Sequence, residues 1–226
     1  VGSLIIDSSN PEAWADGLPA ALTELRSGQS IIMPTDTVYG IACDAFSPEA
    51  VAGLLAHKSR GRHMPPPVLV GSPDDAMKLA RVVPPSAEAV MTEFWPGGVT
   101  VIVHASPDVE WDLGDTDGTV AIRMPDHPVA LELLRATGPL AVSSANLTGQ
   151  HSSVTIEEAY EQFGDALAIY IDAGAVGEGY RDAPGNPGST IVDASGLDAG
   201  KPWRVVRHGV VPWEDIQAVA GGTWQP

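Results

Sequence analysis

Pro34-Thr35-Asp36-Thr37-Val38-Tyr39-Gly40 puts two threonines and a tyrosine into a turn directly after the apolar run Ile31-Ile32-Met33. Hydroxyls and turn amides of this kind can hold a small polar ligand. Lys58, Arg60 and Arg62 then fall within five positions, in a chain that has only 12 Lys and Arg against 29 Asp and Glu. Cations this concentrated repel one another unless an anion lies among them. Arginine also meets phosphate and carboxylate groups with a planar fork of donors. Together these residues read as a site for a nucleotide beside a small polar substrate.

Lys58 taken alone has a plainer reading. On the helix expected over 48–58, Val51, Leu54 and Leu55 form an apolar stripe and Lys58 is next on it. A packed stem and an outward-reaching ammonium near a helix C-terminus would satisfy it. Arg60 and Arg62 tip the balance toward anion binding.

Further candidates lie at strand ends. Arg123 closes Thr119-Val120-Ala121-Ile122-Arg123, and strand alternation turns Thr119, Ala121 and Arg123 to one face. Ser143-Ser144-Ala145-Asn146 follows an apolar strand, where open α/β sheets bind ligands. Gly188-Ser189-Thr190 sets hydroxyls at the entrance of another strand. Each alone is also an ordinary turn.

The chain has no GxxxxGK[ST] or GxGxxG loop, so side chains rather than a glycine-rich loop must supply charge to phosphates. HExxH, CxxC and GxSxG are absent too. The six histidines show no ligand spacing, and the acids of 107–118 do not match a calcium loop. Cys43, the single cysteine, reads as a small core residue and fits a reducing cytoplasm.

These residues need a scaffold, and the helix starts announce one. Asn10-Pro11, Ser47-Pro48 and Ser72-Pro73 pair a cap with a first-turn proline, Asp126 with Pro128 reads alike, and Thr155 with Glu158 reads as a capping box. Strands are expected at 30–33, 67–71, 99–104, 119–123, 139–143, 167–171, 190–193 and 203–207. Alternating strands and helices predict an α/β fold with a mixed, twisted sheet, as a single domain over 1–226 with its core at about 20–211. Segments 107–118 and 174–189 are expected to be long loops. No run is long enough to span a membrane. A net charge of −17 argues against a strong grip on nucleic acid.

In order along the chain, the motifs PTDTVYGIACDAF (34–46), Lys58-x-Arg60, FWPG (94–97), TVAIRMPDHPVAL (119–131), SSANLTG (143–149), GSTIVD (188–193) and Val206-Arg207 resemble the YrdC-like family. Within it they are most similar to the bacterial L-threonylcarbamoyladenylate synthases. The resemblance implies a twisted sheet with a positively lined cavity. It also implies a nucleotidyltransferase that joins L-threonine, bicarbonate and ATP, with Mg2+, into threonylcarbamoyl-AMP and pyrophosphate. The product would feed a separate threonylcarbamoyl transferase complex acting on tRNA, with little or no direct tRNA binding by this chain. By position, Thr37, Arg123 and Ser189 would contact threonine, with the backbone around Leu69 and Val142 nearby. Lys58, Arg60, Thr119, Ser144, Ser152 and Arg207 would contact the nucleotide, with Lys58 and Arg60 stabilising charge in the reaction. The chain departs from the family pattern at Ser59, at 63–67 and at His208. A YrdC-like carbamoyltransferase using carbamoyl phosphate, and an RNA-binding or ribosome-maturation module, are the competing readings.

Overall fold

Capping side chains start four helices where the sequence places them. The structure is a computed structural model describing residues 2–183 and 185–225. It opens with β1 (Leu4–Asp7), α1 (Pro11–Arg26), β2 (Ile31–Met33), β3 (Gly40–Asp44) and α2 (Pro48–His57). Next come β4 (Val68–Leu69), α3 (Pro73–Leu79), α4 (Pro85–Phe94), β5 (Val99–His104) and β6 (Thr119–Arg123). Then follow α5 (Pro128–Thr137), β7 (Leu140–Ser144), α6 (Ile156–Phe163), β8 (Ile169–Asp172) and β9 (Thr190–Asp193). β10 (Trp203–Arg207), α7 (Trp213–Ala220) and β11 (Trp224–Gln225) finish it.

Asn10, Ser47, Ser72 and Thr155 each accept backbone N–H bonds from the first turn that follows. Such a cap contributes about 1 kcal/mol. Two expectations need correction. Extended His127, not Asp126, precedes α5 and makes no side-chain cap; the Asp126 N–H donates to Asp36 instead. Glu158 turns back onto the Val154 N–H rather than onto Thr155, so the box is shifted by one residue.

Each expected strand overlaps an observed one, although 67–71 shortens to Val68–Leu69 and the strands expected at 139–143 and 167–171 run one residue further, to Ser144 and Asp172. The sequence reading missed β1, β3, β11 and α4. β3 opens on Gly40 and ends on Asp44, both weak strand formers, and pairing on both sides makes it a strand, with β2 on one edge and β7 on the other.

All strands form one mixed sheet, ordered β1-β8-β2-β3-β7-β4-β6-β5-β9-β10-β11. Ile41 and Cys43 point into the larger core, with the buried faces of α2, α3, α4, α6 and α7. Ala42, one residue out of phase, joins the second core under α1 and α5, as do Met33 and Leu140. α5 buries Leu133 and Leu134 there, each contributing roughly 1.5–3 kcal/mol. Because α1 and α5 cover only the β1 end of that face, no described helix covers it over β6, β5, β9 and β10. The functional residues lie there.

The β9–β10 junction is closely packed. A Cβ on Gly209 would stand 2.3 Å from the Ser189 carbonyl carbon and the Thr190 nitrogen. Since the obstruction is backbone, Gly209→Ala should cost on the order of 3 kcal/mol or push Ser189 out of place. Urea denaturation measures it, and an unchanged midpoint would mean that the junction yields freely.

Candidate active site

The uncovered face holds a cavity of about 520 Å³. Its floor is strand alternation made visible: Thr119, Ala121 and Arg123 of β6 face it, as do Thr100 and Ile102 of β5 and Ile191 of β9. Val101, Val103 and Ile122 point the other way into the larger core. The polar residues Thr100, Thr119 and Arg123, at alternating positions of strands otherwise rich in Val and Ile, therefore mark the cavity.

At one end the turn 35–38 folds on its own hydroxyl. Thr35 Oγ accepts from the N–H groups of Thr37 and Val38, both at 3.2 Å. That turn presents the Thr37 hydroxyl to Arg123 Nη1 at 3.1 Å. Arg123 Nε donates to the Gly97 carbonyl at 2.9 Å, and Nη2 donates to Asp36. Both partners of the Arg123–Asp36 pair are more than nine-tenths buried in their side chains. Removing one member of such a pair costs about 3–5 kcal/mol. Two of the five guanidinium N–H donors remain for a ligand.

Ser189 closes this end opposite Thr37. Its hydroxyl meets the Thr100 hydroxyl at 2.7 Å and accepts from Arg207 Nη2 at 3.0 Å. Arg207 Nε donates to the Ser189 carbonyl at 2.9 Å. Burial, then Arg123 and Arg60, lower the Arg207 pKa to about 10. The three guanidinium groups thus feel one another across the cavity.

Arg60 donates from Nη1 to the Ser143 hydroxyl at 2.9 Å, while its buried Nε has no partner. Burial lowers its pKa as well. Among the described residues neither Arg60 nor Arg207 forms an ion pair, and no Asp or Glu lines the cavity. The site therefore presents uncompensated positive charge on the inside of an acidic protein. The outer wall is apolar and stiff: Pro65, Pro66 and Pro67, joined by Leu113 and Val206.

Of the residues singled out in the sequence, Thr37, Arg60, Leu69, Thr119, Arg123, Val142, Ser144, Ser189 and Arg207 line the cavity. Lys58 and Ser152 do not. Lys58 is fully buried behind the wall. Its ammonium donates to the carbonyls of Ser144 and Asn146 and reaches Asn146 Oδ1 at 3.4 Å. Three acceptors match the three N–H donors of a charged lysine, although burial, followed by Arg60, pushes its pKa down to about 7. The side chain neither reaches out to solvent nor enters the cavity; it fastens the 143–146 turn to the end of α2. Ser152 is half-buried, while its neighbour Ser153 is fully buried and donates to the Ala145 carbonyl.

The expectation that Lys58, Arg60 and Arg62 share one anion gives way to three different placements. Arg62 points outward to Asp112 at 2.8 Å and Asp115 at 3.5 Å, clasping the acidic loop 107–118. Sequence reasoning gave no role to Asp36, Thr100 or Asn186. Thr100 carried a signal as the lone polar residue in Val99-Thr100-Val101-Ile102-Val103. Asp36 carried none, because its partner lies 87 residues away.

An open α/β sheet with an arginine-lined cavity defines a class of small-ligand, anion-binding protein. The family model described as Telomere recombination (Sua5_yciO_yrdC) matches residues 23–209, and the chain belongs to that family. A relative from Mycobacterium tuberculosis, described as a putative threonylcarbamoyl-AMP synthase, is 46% identical over 95% of this chain and 94% of its own length. The human threonylcarbamoyl-AMP synthase is 36% identical over 86% of this chain and 69% of its own. The crystal structure of P. abyssi Sua5 complexed with L-threonine superposes with a TM-score of 0.85 at 28% identity, covering 99% of this chain. This chain spans 63% of that archaeal protein's length.

Lys58→Met separates a strut from a ligand contact. Each buried acceptor left unsatisfied costs about 1–3 kcal/mol, so the variant should lose at least about 2 kcal/mol in urea denaturation. Full stability with lost activity would make Lys58 a ligand contact instead.

Proposed function

We propose that this protein makes L-threonylcarbamoyl-AMP from L-threonine, bicarbonate and ATP, releasing pyrophosphate. The observation that carries the reading is the uneven charge of the cavity. One end has Arg123 already paired with Asp36 and flanked by the hydroxyls of Thr37 and Ser189. Arg60 and Arg207 also face the cavity, with no carboxylate of their own. The first arrangement suits the carboxylate of an amino acid, and the second suits a polyphosphate. The names of the relatives specify threonine and the adenylate.

In this reading Arg123 holds the threonine carboxylate through its two free N–H donors, between the hydroxyls of Thr37 and Ser189. Leu69 and Val142 supply an apolar flank for the threonine methyl group. The amine attacks the bicarbonate carbon; a C–N bond forms and water leaves, giving a carbamate. A carbamate oxygen then attacks the α-phosphorus of ATP, and the bond to the β-phosphate breaks, so that pyrophosphate departs. Arg60 and Arg207 stabilise charge on the leaving group, and the proline wall and Thr119 border the nucleoside. Positioning within one cavity supplies much of the acceleration. Magnesium belongs to the ATP as substrate, since no lining carboxylate forms a cage for it. Lys58 acts through the 143–146 turn, and Ser152 lies outside this scheme.

Among the described residues no helix is long and apolar enough to cross a membrane. We place the protein in the cytoplasm, handing its product to a transferase complex that itself holds the tRNA. Nothing in the cavity calls for the carbamoyltransferase or RNA-binding readings.

Pyrophosphate release should require threonine and bicarbonate together. Equal release without threonine, or with carbamoyl phosphate in its place, would reject the assignment. Arg60→Ala and Arg207→Ala should each lower kcat/KM for ATP about 10- to 150-fold, the worth of one or two charge-assisted hydrogen bonds. Arg123→Ala should raise the threonine Kd by a similar factor, read by isothermal titration.

A further inference from the structure

Asp36 does not line the cavity, yet three groups converge on its carboxylate. Arg123 Nη2 and the Asp126 N–H share Oδ1, the latter at 3.1 Å, and the Tyr180 hydroxyl reaches Oδ2 at 3.4 Å. The carboxylate is thereby fixed on the far side of the guanidinium from the ligand space. Arg60 and Arg207 face the same cavity with hydroxyl and carbonyl partners only. One fixed negative charge therefore splits three arginines into a neutralised donor and two uncompensated cations.

We infer that Asp36 is a specificity-determining residue that sorts the two kinds of anion, keeping Arg123 for a carboxylate and leaving polyphosphate to Arg60 and Arg207. Resting on the proposed function, this goes beyond it by saying why phosphate does not occupy the amino-acid end. A neutral Arg123–Asp36 pair still has two N–H donors, one on each terminal nitrogen, for a single carboxylate. To a di- or trianionic phosphate it offers little attraction, because Asp36 repels each added charge. Without that carboxylate, the three guanidinium groups would form one continuous polyanion site, and pyrophosphate would reach Arg123 as well. Discrimination here comes from the repulsive element as well as the attractive one.

Asp36→Asn tests this, because an amide oxygen can still accept from Arg123 and Asp126 while the charge is gone. Threonine is titrated calorimetrically at rising fixed pyrophosphate. In the wild-type protein the threonine Kd should level off once pyrophosphate saturates its own arginines. In Asp36→Asn each doubling of pyrophosphate above its Kd should double the threonine Kd, and Asp36→Glu should restore the plateau. A folded Asp36→Asn protein that keeps the plateau overturns the inference. So does a proportional rise in the wild type, a result that needs no variant to fold. A wild-type protein that binds no threonine at all would defeat the proposed function instead, which keeps the two failures apart.

Discussion

Bringing Arg60, Arg123 and Arg207 around one cavity sets like charges against one another in a region shielded from water. The depressed pKa of Arg207, with burial as its first cause and the other two arginines next, records that tension. The fold holds the arrangement by fixing each guanidinium separately. Arg123 is tied to Gly97 and Asp36, Arg207 to Ser189, and Arg60 to Ser143. The rest of the structure supplies those anchor points. The sheet lays the strands side by side, the two helical layers keep it rigid, and the missing helix leaves room for a ligand.

Much of this was written locally. The alternation Thr119-Ala121-Arg123 assigned three residues to one face before any neighbour was known, and all three line the cavity. Caps at Asn10, Ser47, Ser72 and Thr155 placed four helices because a cap is settled within one turn of chain. The ordered motifs carried the family, which the comparisons show.

What stayed hidden depends on partners far off in the chain. Spacing alone made Lys58, Arg60 and Arg62 one cluster, but a helix end and two turns send them to a buried strut, a cavity wall and the surface. Ser152 and Ser153 are adjacent and chemically identical, and only the fold decides that the second supports Ala145. β3, Gly40-Ile41-Ala42-Cys43-Asp44, is made largely of weak strand formers and exists because two neighbours complete its hydrogen bonds. Asp36 is the plainest example, since its meaning comes wholly from Arg123.

The clasp between Arg62 and the loop 107–118 has a further consequence. Leu113 and Thr116 of that loop form part of the cavity wall, while the charges that pin it, Arg62, Asp112 and Asp115, stand well exposed. Exposed pairs of this kind contribute about 0–1 kcal/mol and fade as ionic strength rises. One side of the chamber is therefore fastened in part by a clip that the surrounding electrolyte can loosen, beside a backbone bond from the Asp115 N–H to the Arg62 carbonyl that it cannot.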